Sequence, residues 1–122
     1  MSIHQLAQDY ISYVQQGQYT ELLNTLYAKD AQSIESFPAP GQQRLADGLD
    51  AILQKNASFE SQNTVHSHEV KGPWPHGEDK FAVHMSFDMT HELSGTRRQV
   101  DEIIVLTVRE GKIVKEEFFY GQ

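Results

Sequence analysis

The sequence predicts an α+β fold in which helices pack on one face of a curved antiparallel sheet. Three segments of the N-terminal half carry apolar side chains at three- and four-residue spacing, which is typical of amphipathic helices. From Thr64 onwards the pattern changes to extended runs, separated by short segments of Gly with polar or Pro neighbours that are typical of hairpin turns. Helices followed by an antiparallel meander indicate the α+β class. We expect one domain over residues 1–122, because this length is close to the commonest domain size.

The three helices are predicted from their apolar stripes and their end signals. The first lies in SIHQLAQDYISYVQQG, with Ser2 as the N-cap and Gly17 as the C-terminal stop. The second lies in YTELLNTLY, where Thr20 is the expected cap. An extended segment, AKDAQSIESF, follows and is ended by PAPG. The third helix is expected from about Leu49 to Phe59.

Four strands are expected in the second half of the chain. They are TVHSHEV, KFAVHMSFDMT, RQVDEIIVLTVR and KIVKEEFFY, separated by GPWPHGED, HELSGT and EG. Because side chains alternate along a strand, the positions of the turns decide which residues share a face. We place two-residue turns at His76-Gly77, Ser94-Gly95 and Glu110-Gly111. This register gathers most of the apolar strand residues on one face, and a slip of one residue would scatter them.

The same register places titratable side chains at one end of the apolar face. Two rows of residues cross the four strands there, namely His66, Phe87, Glu102, Phe119 and then His68, Met85, Ile104, Glu117. A curved sheet that is apolar at one end and titratable at the other describes a pocket better than a solid core. A bulge in the last strand would turn Glu116 inward in place of Glu117, and bulges are frequent near active sites.

Composition and charge limit the classes of partner. The formal net charge is −7, and the basic pair Arg97-Arg98 lies in an expected turn, so we expect neither nucleic acid nor an anionic membrane as a partner. No apolar run is long enough for a membrane span, and MSIHQLAQDY lacks the features of a signal peptide. The chain has no cysteine, which suits a reducing compartment, and we expect a cytoplasmic location.

A family resemblance is carried by three segments in a fixed order along nearly the whole chain. They are LYAKDAQSIE, HEVKGPW leading into KFAVHMSFDMT, and EIIVLTVREGKIVKEEFFY. Together they resemble the nuclear transport factor 2-like superfamily, and within it the SnoaL-like proteins. The resemblance implies a cone-shaped α+β barrel with three N-terminal helices on a strongly curved sheet, a cavity at its open end, and dimerisation through the outer sheet face. It does not imply one reaction, because this scaffold hosts several activities and also non-enzymes.

Glu102 is the leading candidate for catalysis. Between Phe87 and Phe119, desolvation is expected to raise its pKa and to suit the carboxyl group to proton transfer. An isolated buried charge is costly, so the side chain needs a partner or a raised pKa. The alternative is that Glu102 lies at the strand end, partly solvated or ion-paired. His66, one strand pair away, is the expected catalytic partner, with His68 beside it, although a histidine on a half-buried strand is often structural.

The remaining candidates are expected to line the pocket with His68, Met85, Phe87 and Phe119. Glu35, which faces away from Ile34 in SIESF, lies at the pocket mouth or on a surface strand. Trp74 in GPWP is a loop anchor or a lid of the cavity. One of Glu116 and Glu117 enters the cavity and the other faces solvent.

The opposite face of the predicted sheet is too apolar for a wholly solvated surface. Its expected members are His84, Ser86, Asp88, Ile103, Val105, Val114, Phe118 and Tyr120. An exposed patch of this kind usually marks association, so we expect a homodimer through this face. Asp88 is expected to be a polar member of the interface and not a catalytic residue.

These patterns favour a protein whose internal cavity binds a small, mostly apolar molecule. Catalysis there would be cofactor-free acid–base chemistry of the isomerase, cyclase, dehydratase or hydrolase type. A metal would need three or four convergent ligands from His66, His68, Glu102 and Glu117, and His-x-His alone does not predict one, so we expect no metal and no cofactor. The alternative is a non-catalytic domain that binds a ligand or a protein, with its interior filled by side chains.

Overall fold

The computed structural model describes residues 2–38 and 41–121, and within these ranges the chain forms three helices and six strands. In chain order the elements are α1 (Ile3–Gln15), α2 (Tyr19–Leu26), β1 (Tyr27–Ile34), β2 (Leu45–Asp47), α3 (Leu49–Gln62), β3 (Asn63–His76), β4 (Lys80–His91), β5 (Arg97–Arg109) and β6 (Lys112–Phe119). This composition confirms the predicted α+β class. Two residues of the predicted PAPG terminator, Ala39 and Pro40, lie outside the described residues.

The first two helices begin in different ways. Ser2 caps α1 as predicted, because its hydroxyl accepts a hydrogen bond of 3.1 Å from the Gln5 N–H. The helix ends before Gly17, whose φ of 69° lies in the region that glycine adopts most easily. The predicted Thr20 cap is wrong, because α2 already begins at Tyr19 without a side-chain cap bond. Tyr19 packs against the core, and its burial offsets the loss of a cap worth about 1 kcal/mol.

The third helix starts where it was predicted and is longer at its C-terminus. It begins at Leu49 and ends at Gln62, beyond the expected end at Phe59. Gly48 precedes it with a φ of 97°, and the Gly48 N–H donates to the Ala31 carbonyl at 2.8 Å. This hydrogen bond holds the start of α3 next to β1, so that Lys55 of α3 can reach Ser33 and Glu35.

The six strands form one open, mixed sheet in the order β2-β1-β6-β5-β4-β3. The strands β3 to β6 form the predicted antiparallel meander. β6 lies between β5 and β1, and its pairing with β1 is parallel. The short edge strand β2 pairs with β1 and was not predicted. The N-terminal and C-terminal parts of the chain therefore meet in the middle of the sheet.

The pairing of β4 with β5 differs from the prediction by two residues. Met85 pairs with Glu102, where Ile104 was expected, because the hairpin is centred between Leu93 and Ser94 and not between Ser94 and Gly95. A shift by an even number of residues keeps every side chain on its face. The inward residues of both strands are accordingly buried, namely Phe81, Val83, Met85, Ile104 and Leu106.

The edge strand β3 runs through the segment that was predicted to be a turn and ends at His76. Two irregularities interrupt its pairing with β4, one near His66 and one before Trp74. As a result, His68 pairs with Phe87 instead of Met85, and Trp74 pairs with Ala82. The predicted row of His66 and Phe87 does not form.

A bulge in β6 decides which of its C-terminal residues face inward. Val108 pairs with Ile113 but Thr107 pairs with Lys115, so that Val114 is the extra residue. Beyond the bulge, Glu116 is buried and pairs with Leu106, whereas Glu117 pairs with Val105 on the outer face. This is the alternative that the sequence left open. The bulge also reverses the predicted faces of Phe118 and Phe119. Phe118 packs against the core, and Phe119 is 49% exposed.

One core lies between the helices and the inward face of the sheet. Its helical members are Leu6, Ala7, Tyr10, Ile11, Val14, Leu22, Leu23, Leu26 and Ile52, which pack with Tyr27, Ala31, Ile113 and the inward residues of β4 and β5. Within the described ranges, no helix has the length and apolarity needed to cross a membrane.

Candidate functional site

Glu102 lies on the inward face of β5, as predicted. Its register partner is buried Met85, and the next inward residue along β5 is buried Ile104. Burial raises the pKa of Glu102 from 4.5 to about 7, and the negative charges of Glu35 and Glu116 add to the rise. The positive charge of Lys55 opposes it. A carboxyl group with this pKa exchanges its proton near neutral pH, as a general acid or base must.

Glu116 is the second inward carboxylate, and it is almost fully buried. Its register neighbour on β1 is Ser33, whose hydroxyl donates to Glu116 Oε2 at 2.7 Å. The Tyr27 hydroxyl donates to Glu116 Oε1. Burial raises the pKa of Glu116, while these two hydrogen bonds and the charge of Lys55 oppose the rise.

Glu35 is the third carboxylate and follows directly after β1. The Lys55 ammonium, which reaches it from α3, lies 2.5 Å from Glu35 Oε2. The Tyr120 hydroxyl donates to Glu35 Oε1 at 2.7 Å. Lys55 also donates to Ser33 Oγ at 2.7 Å, and its Nζ lies 4.6 Å from the centre of the Phe118 ring. Lys55 therefore connects Glu35 with the hydroxyl group that binds Glu116.

These contacts form one connected network beside Glu102. We call its members, Tyr27, Ser33, Glu35, Lys55, Glu116 and Tyr120, the inner polar cluster. Within residues 2–38 and 41–121, no donor is bonded to the Glu102 carboxylate. The buried Tyr19 hydroxyl also makes no hydrogen bond there, and burial together with the charge of Glu102 raises its pKa to about 12. In these ranges the Glu102 carboxylate and the Tyr19 hydroxyl are thus polar groups outside the hydrogen-bond network.

The two histidines are not arranged as predicted. His66 lies at an irregularity of β3, is exposed, and its Nε2 is 2.7 Å from Thr90 Oγ1. It therefore does not pair with Glu102. His68 points inward, with its Nε2 2.9 Å from the Val14 carbonyl and its ring centre 6.3 Å from that of Tyr19. This hydrogen bond holds His68 against α1 at the edge of the sheet, where the residue is still exposed and makes no described contact with a carboxylate.

The apolar residues predicted to line the pocket divide between the two faces. Met85 is buried, and Phe87 packs against Phe59 with their ring centres 6.4 Å apart. Phe119 is on the outer face because of the bulge in β6. Trp74 is also on the outer face and 53% exposed, because the irregularity in β3 aligns it with Ala82. Trp74 is therefore not placed as a lid over the interior.

The outer face differs from its prediction at its C-terminal members. Phe118 and Tyr120 were expected there, but Phe118 packs inward and Tyr120 binds Glu35. Glu117 takes the outer position, where it lies 3.7 Å from Lys115. The exposed apolar residues on this face are Trp74, Ile103 and Phe119, and Ile103 pairs directly with Phe119. Asp88, on the same face, is bound by Arg97 at 2.8 Å, which holds the pKa of Asp88 below its usual range.

Lys55, Ser33 and Tyr27 were missed by sequence reasoning. Lys55 could have been found, because it lies on the same side of α3 as Ile52 and Phe59, at helical spacing. It is a charged residue on an apolar face, the same signal that identified Glu102. Ser33 and Tyr27 carry no comparable signal, since a polar residue in an edge-like strand is usually solvated.

Two depressions on the described surface lie away from Glu102. One has a volume of about 370 Å³ and lies beside α1, lined by Asp9, Ser12, Tyr13, Gln16 and Gln18. The other, of about 270 Å³, lies on the outer face near the bulge, lined by Asp30, Gln32, Thr107, Arg109, Val114 and Lys115. In the described part of the chain, no group of three His, Asp or Glu side chains is arranged to hold a metal ion.

Comparison with known proteins identifies relatives of this fold. A family model of the SnoaL-like domain matches residues 1–120. The structure of a candidate SnoaL-like polyketide cyclase from Mesorhizobium loti is 32% identical, with a TM-score of 0.92 over 98% of this chain and 100% of that chain. A comparison with curated proteins gives no match.

Two more distant structures were solved with small molecules bound. A Mycobacterium tuberculosis protein in complex with estradiol-17β-hemisuccinate is 15% identical, with a TM-score of 0.75 over 99% of this chain and 95% of that chain. A Catenulispora acidiphila protein with a ketosteroid isomerase-like fold, in complex with trimethylamine, is 17% identical, with a TM-score of 0.72 over 95% and 85%. These two likenesses concern the fold alone. From the family model and the Mesorhizobium loti structure, the chain belongs to the SnoaL-like domain family of the nuclear transport factor 2-like superfamily.

Proposed function

We propose that this protein is a cytoplasmic homodimer that binds a small, mostly apolar molecule beside Glu102, and that Glu102 transfers a proton to or from it without a cofactor. The proposal depends on one observation: Glu102 is an inward carboxyl group with a pKa of about 7 and no bonded donor within the described ranges. Isomerisation, cyclisation, dehydration and hydrolysis all require such a group. His66 is not part of this proposal, because its side chain binds Thr90.

Side chains on the inward face are candidates for three roles in this reaction: contact with the ligand, donation of a hydrogen bond and transfer of the proton. The aromatic rings of Phe87 and Phe118 supply apolar surface for the ligand. The unpartnered Tyr19 hydroxyl would donate a hydrogen bond to a ligand oxygen, and it remains protonated because its pKa is about 12. Glu102, deprotonated above about pH 7, would remove a proton from carbon and return it at another position.

The similar structures support a small-molecule ligand. The Mesorhizobium loti relative is a candidate polyketide cyclase, and the more distant structures hold a steroid ester and an amine. We infer by analogy that this chain also binds an organic ligand at the inward face of its sheet.

Proton exchange at carbon tests this function directly. The probe is 2-tetralone, an aromatic ketone with acidic protons next to the carbonyl, and proton NMR in D₂O follows the loss of their signal. We expect the protein to accelerate this loss, with a rate that rises with pH through a midpoint near 7. Glu102→Gln should return the rate to background. The control Glu117→Gln, on the outer face of the neighbouring strand, should retain the wild-type rate.

Equal rates for the wild type and Glu102→Gln would reject Glu102 as the catalytic group. Native mass spectrometry of the freshly purified protein would identify a co-purified ligand, and a shift of the Phe87 and Phe118 resonances by that ligand would locate its site. If neither binding nor exchange is found for any carbonyl probe, the enzymatic function is rejected.

The outer face of the sheet favours a second candidate function, a non-catalytic domain that acts through association. Trp74, Ile103 and Phe119 are all 40% exposed or more on one face. Exposed aromatic and aliphatic side chains on one sheet face are typical of an interface.

Sedimentation velocity tests the association of two copies through this face. We expect a dimer for the wild type and a monomer for Phe119→Asp, because a charge opposite Ile103 would be desolvated in the interface. Leu93→Asp is the matched control, since Leu93 is 93% exposed in the β4–β5 hairpin loop. A wild-type monomer, or a Phe119→Asp dimer, would contradict an interface here.

A further inference from the structure

The hydrogen-bond donors of the interior are divided unequally among its three carboxyl groups. Glu35 accepts from Lys55 and Tyr120, one donor at each oxygen. Glu116 accepts from Tyr27 and Ser33, also one donor at each oxygen. Within the described ranges Glu102 accepts from none, although its charge interacts with those of both other carboxylates.

We propose that Lys55 is the positioning residue of the site: it holds Glu35 and Glu116 as carboxylates, the first directly and the second through Ser33, so that the exchangeable proton of the interior resides on Glu102. This proposal rests on the proposed function, in which Glu102 is the acid–base group. It adds what selects Glu102 among three glutamates that lie close together.

The direction of the hydrogen bonds through Ser33 follows from elementary chemistry. A lysine ammonium has only donors, so Ser33 Oγ accepts the bond from Lys55 Nζ at 2.7 Å. The hydroxyl proton of Ser33 is then available to Glu116 Oε2, also at 2.7 Å. Each oxygen of Glu116 therefore faces a donated proton, which is the environment that favours a carboxylate over a carboxylic acid.

Lys55 is held in the position that this arrangement needs. Its ammonium contacts Ser33 of β1, Glu35 directly after β1, and the face of the Phe118 ring of β6. The side chain is mostly covered by these groups and remains 28% exposed. One ammonium cannot neutralise three carboxylates at once, so the glutamate without donors is the one whose charge is least compensated, although burial also raises the pKa of Glu116.

The other titratable groups that face Glu102 do not compete for this proton. Tyr10 of α1, Tyr19 of α2 and Tyr120 after β6 surround it, and burial raises the pKa of each above its ordinary value. They remain protonated in the range where Glu102 titrates. Glu60 and His68 both lie near Tyr19. Burial is the largest cause of the raised pKa of Glu102, and the charges of Glu35, Glu116 and Lys55 adjust it.

Carbon-13 NMR of glutamate carboxyl groups tests the proposal in the free protein. The Glu102 signal is assigned by its absence in Glu102→Gln, and its titration midpoint is then measured in each variant. Lys55→Met removes the positive charge and should raise the midpoint by about one pH unit. Lys55→Arg keeps the charge and should restore it. Glu35→Gln removes a repelling charge and releases Lys55, so it should lower the midpoint.

Opposite shifts in Lys55→Met and Glu35→Gln, with rescue by Lys55→Arg, would support the proposal. A Glu102 midpoint that is unchanged or lower in Lys55→Met, or higher in Glu35→Gln, would overturn it. An amide correlation spectrum checks that each variant is folded. If Lys55→Met does not fold, the direction of the change in the Glu102 midpoint in Glu35→Gln decides. Because this titration needs no substrate, the role of Lys55 can be tested even if the protein is inactive in the tetralone assay. Conversely, an active enzyme whose Glu102 midpoint does not depend on Lys55 would refute only this inference.

Discussion

Replacing Glu102 with Gln separates the cost of its buried charge from the packing of its side chain. Glutamine has nearly the shape of a protonated glutamate but cannot ionise. The folded protein retains the Glu102 proton up to about pH 7, whereas the unfolded chain releases it near pH 4.5, so folding takes up a proton between these values. The stabilisation from this proton is complete below the lower value and is lost as the pH rises through the higher one.

The size of this effect follows from the pKa of Glu102. Each pKa unit corresponds to about 1.4 kcal/mol, so a rise from 4.5 to about 7 amounts to about 3.5 kcal/mol, of which about 2.5 kcal/mol is lost between pH 5 and pH 8. The wild-type free energy of unfolding should therefore fall by about 2.5 kcal/mol from pH 5 to pH 8. Glu102→Gln should lack this fall, and it should be more stable than the wild type at pH 8.

Urea unfolding at pH 5 and pH 8 measures the difference. Part of the pH dependence should remain in Glu102→Gln, because burial also raises the pKa of Glu116. The control Glu117→Gln, on the outer face, should follow the wild type at both pH values. Parallel pH profiles for the wild type and Glu102→Gln would show that Glu102 titrates normally, and the reasoning for its role would then be refuted.

Three other substitutions test local features of the fold by urea unfolding. Tyr27→Phe removes a donor from buried Glu116 and should cost about 1–3 kcal/mol, whereas a change below 0.5 kcal/mol would mean that water replaces the hydroxyl. Ser2→Ala removes the cap bond to Gln5 and should cost about 1 kcal/mol, and an unchanged stability would show that the end of α1 frays. Glu110 has a φ of 52° in the β5–β6 turn, so Glu110→Asn should stabilise by up to about 1 kcal/mol; a loss of stability would contradict strain there.

The sequence was sufficient for the fold class and for the direction of Glu102. Its helical stripes and hairpin segments are local patterns, and both survive in the structure. The predicted pairing of β4 with β5 was wrong by two residues, yet Glu102 still faces inward. An even error in register leaves the faces of a strand unchanged, so the burial pattern is more predictable than the partners.

Irregular pairing accounts for most of the errors at the site. The bulge at Val114 reverses Phe118 and Phe119, and the irregularities of β3 turn His66 and Trp74 away from the interior. A bulge is stabilised by contacts with neighbouring strands, which are not encoded in the alternation of one strand. The hydrogen bonds of the inner polar cluster could not be predicted for a related reason. Ser33 and Glu116 are adjacent in space but 83 positions apart in the chain.

The position of β6 has a consequence for the order in which the chain acquires its structure. β6 follows every other strand in the chain but lies between β5 and β1. Until it is made, β1 lacks its central partner and the buried carboxylate of Glu116 is missing from the interior. The helices and the β3–β5 meander can therefore form before β6 is synthesised, but β1 can join the rest of the sheet only after it. Contacts between such distant segments form slowly, so we expect the pairing of β1 with β6 to be a late step of folding.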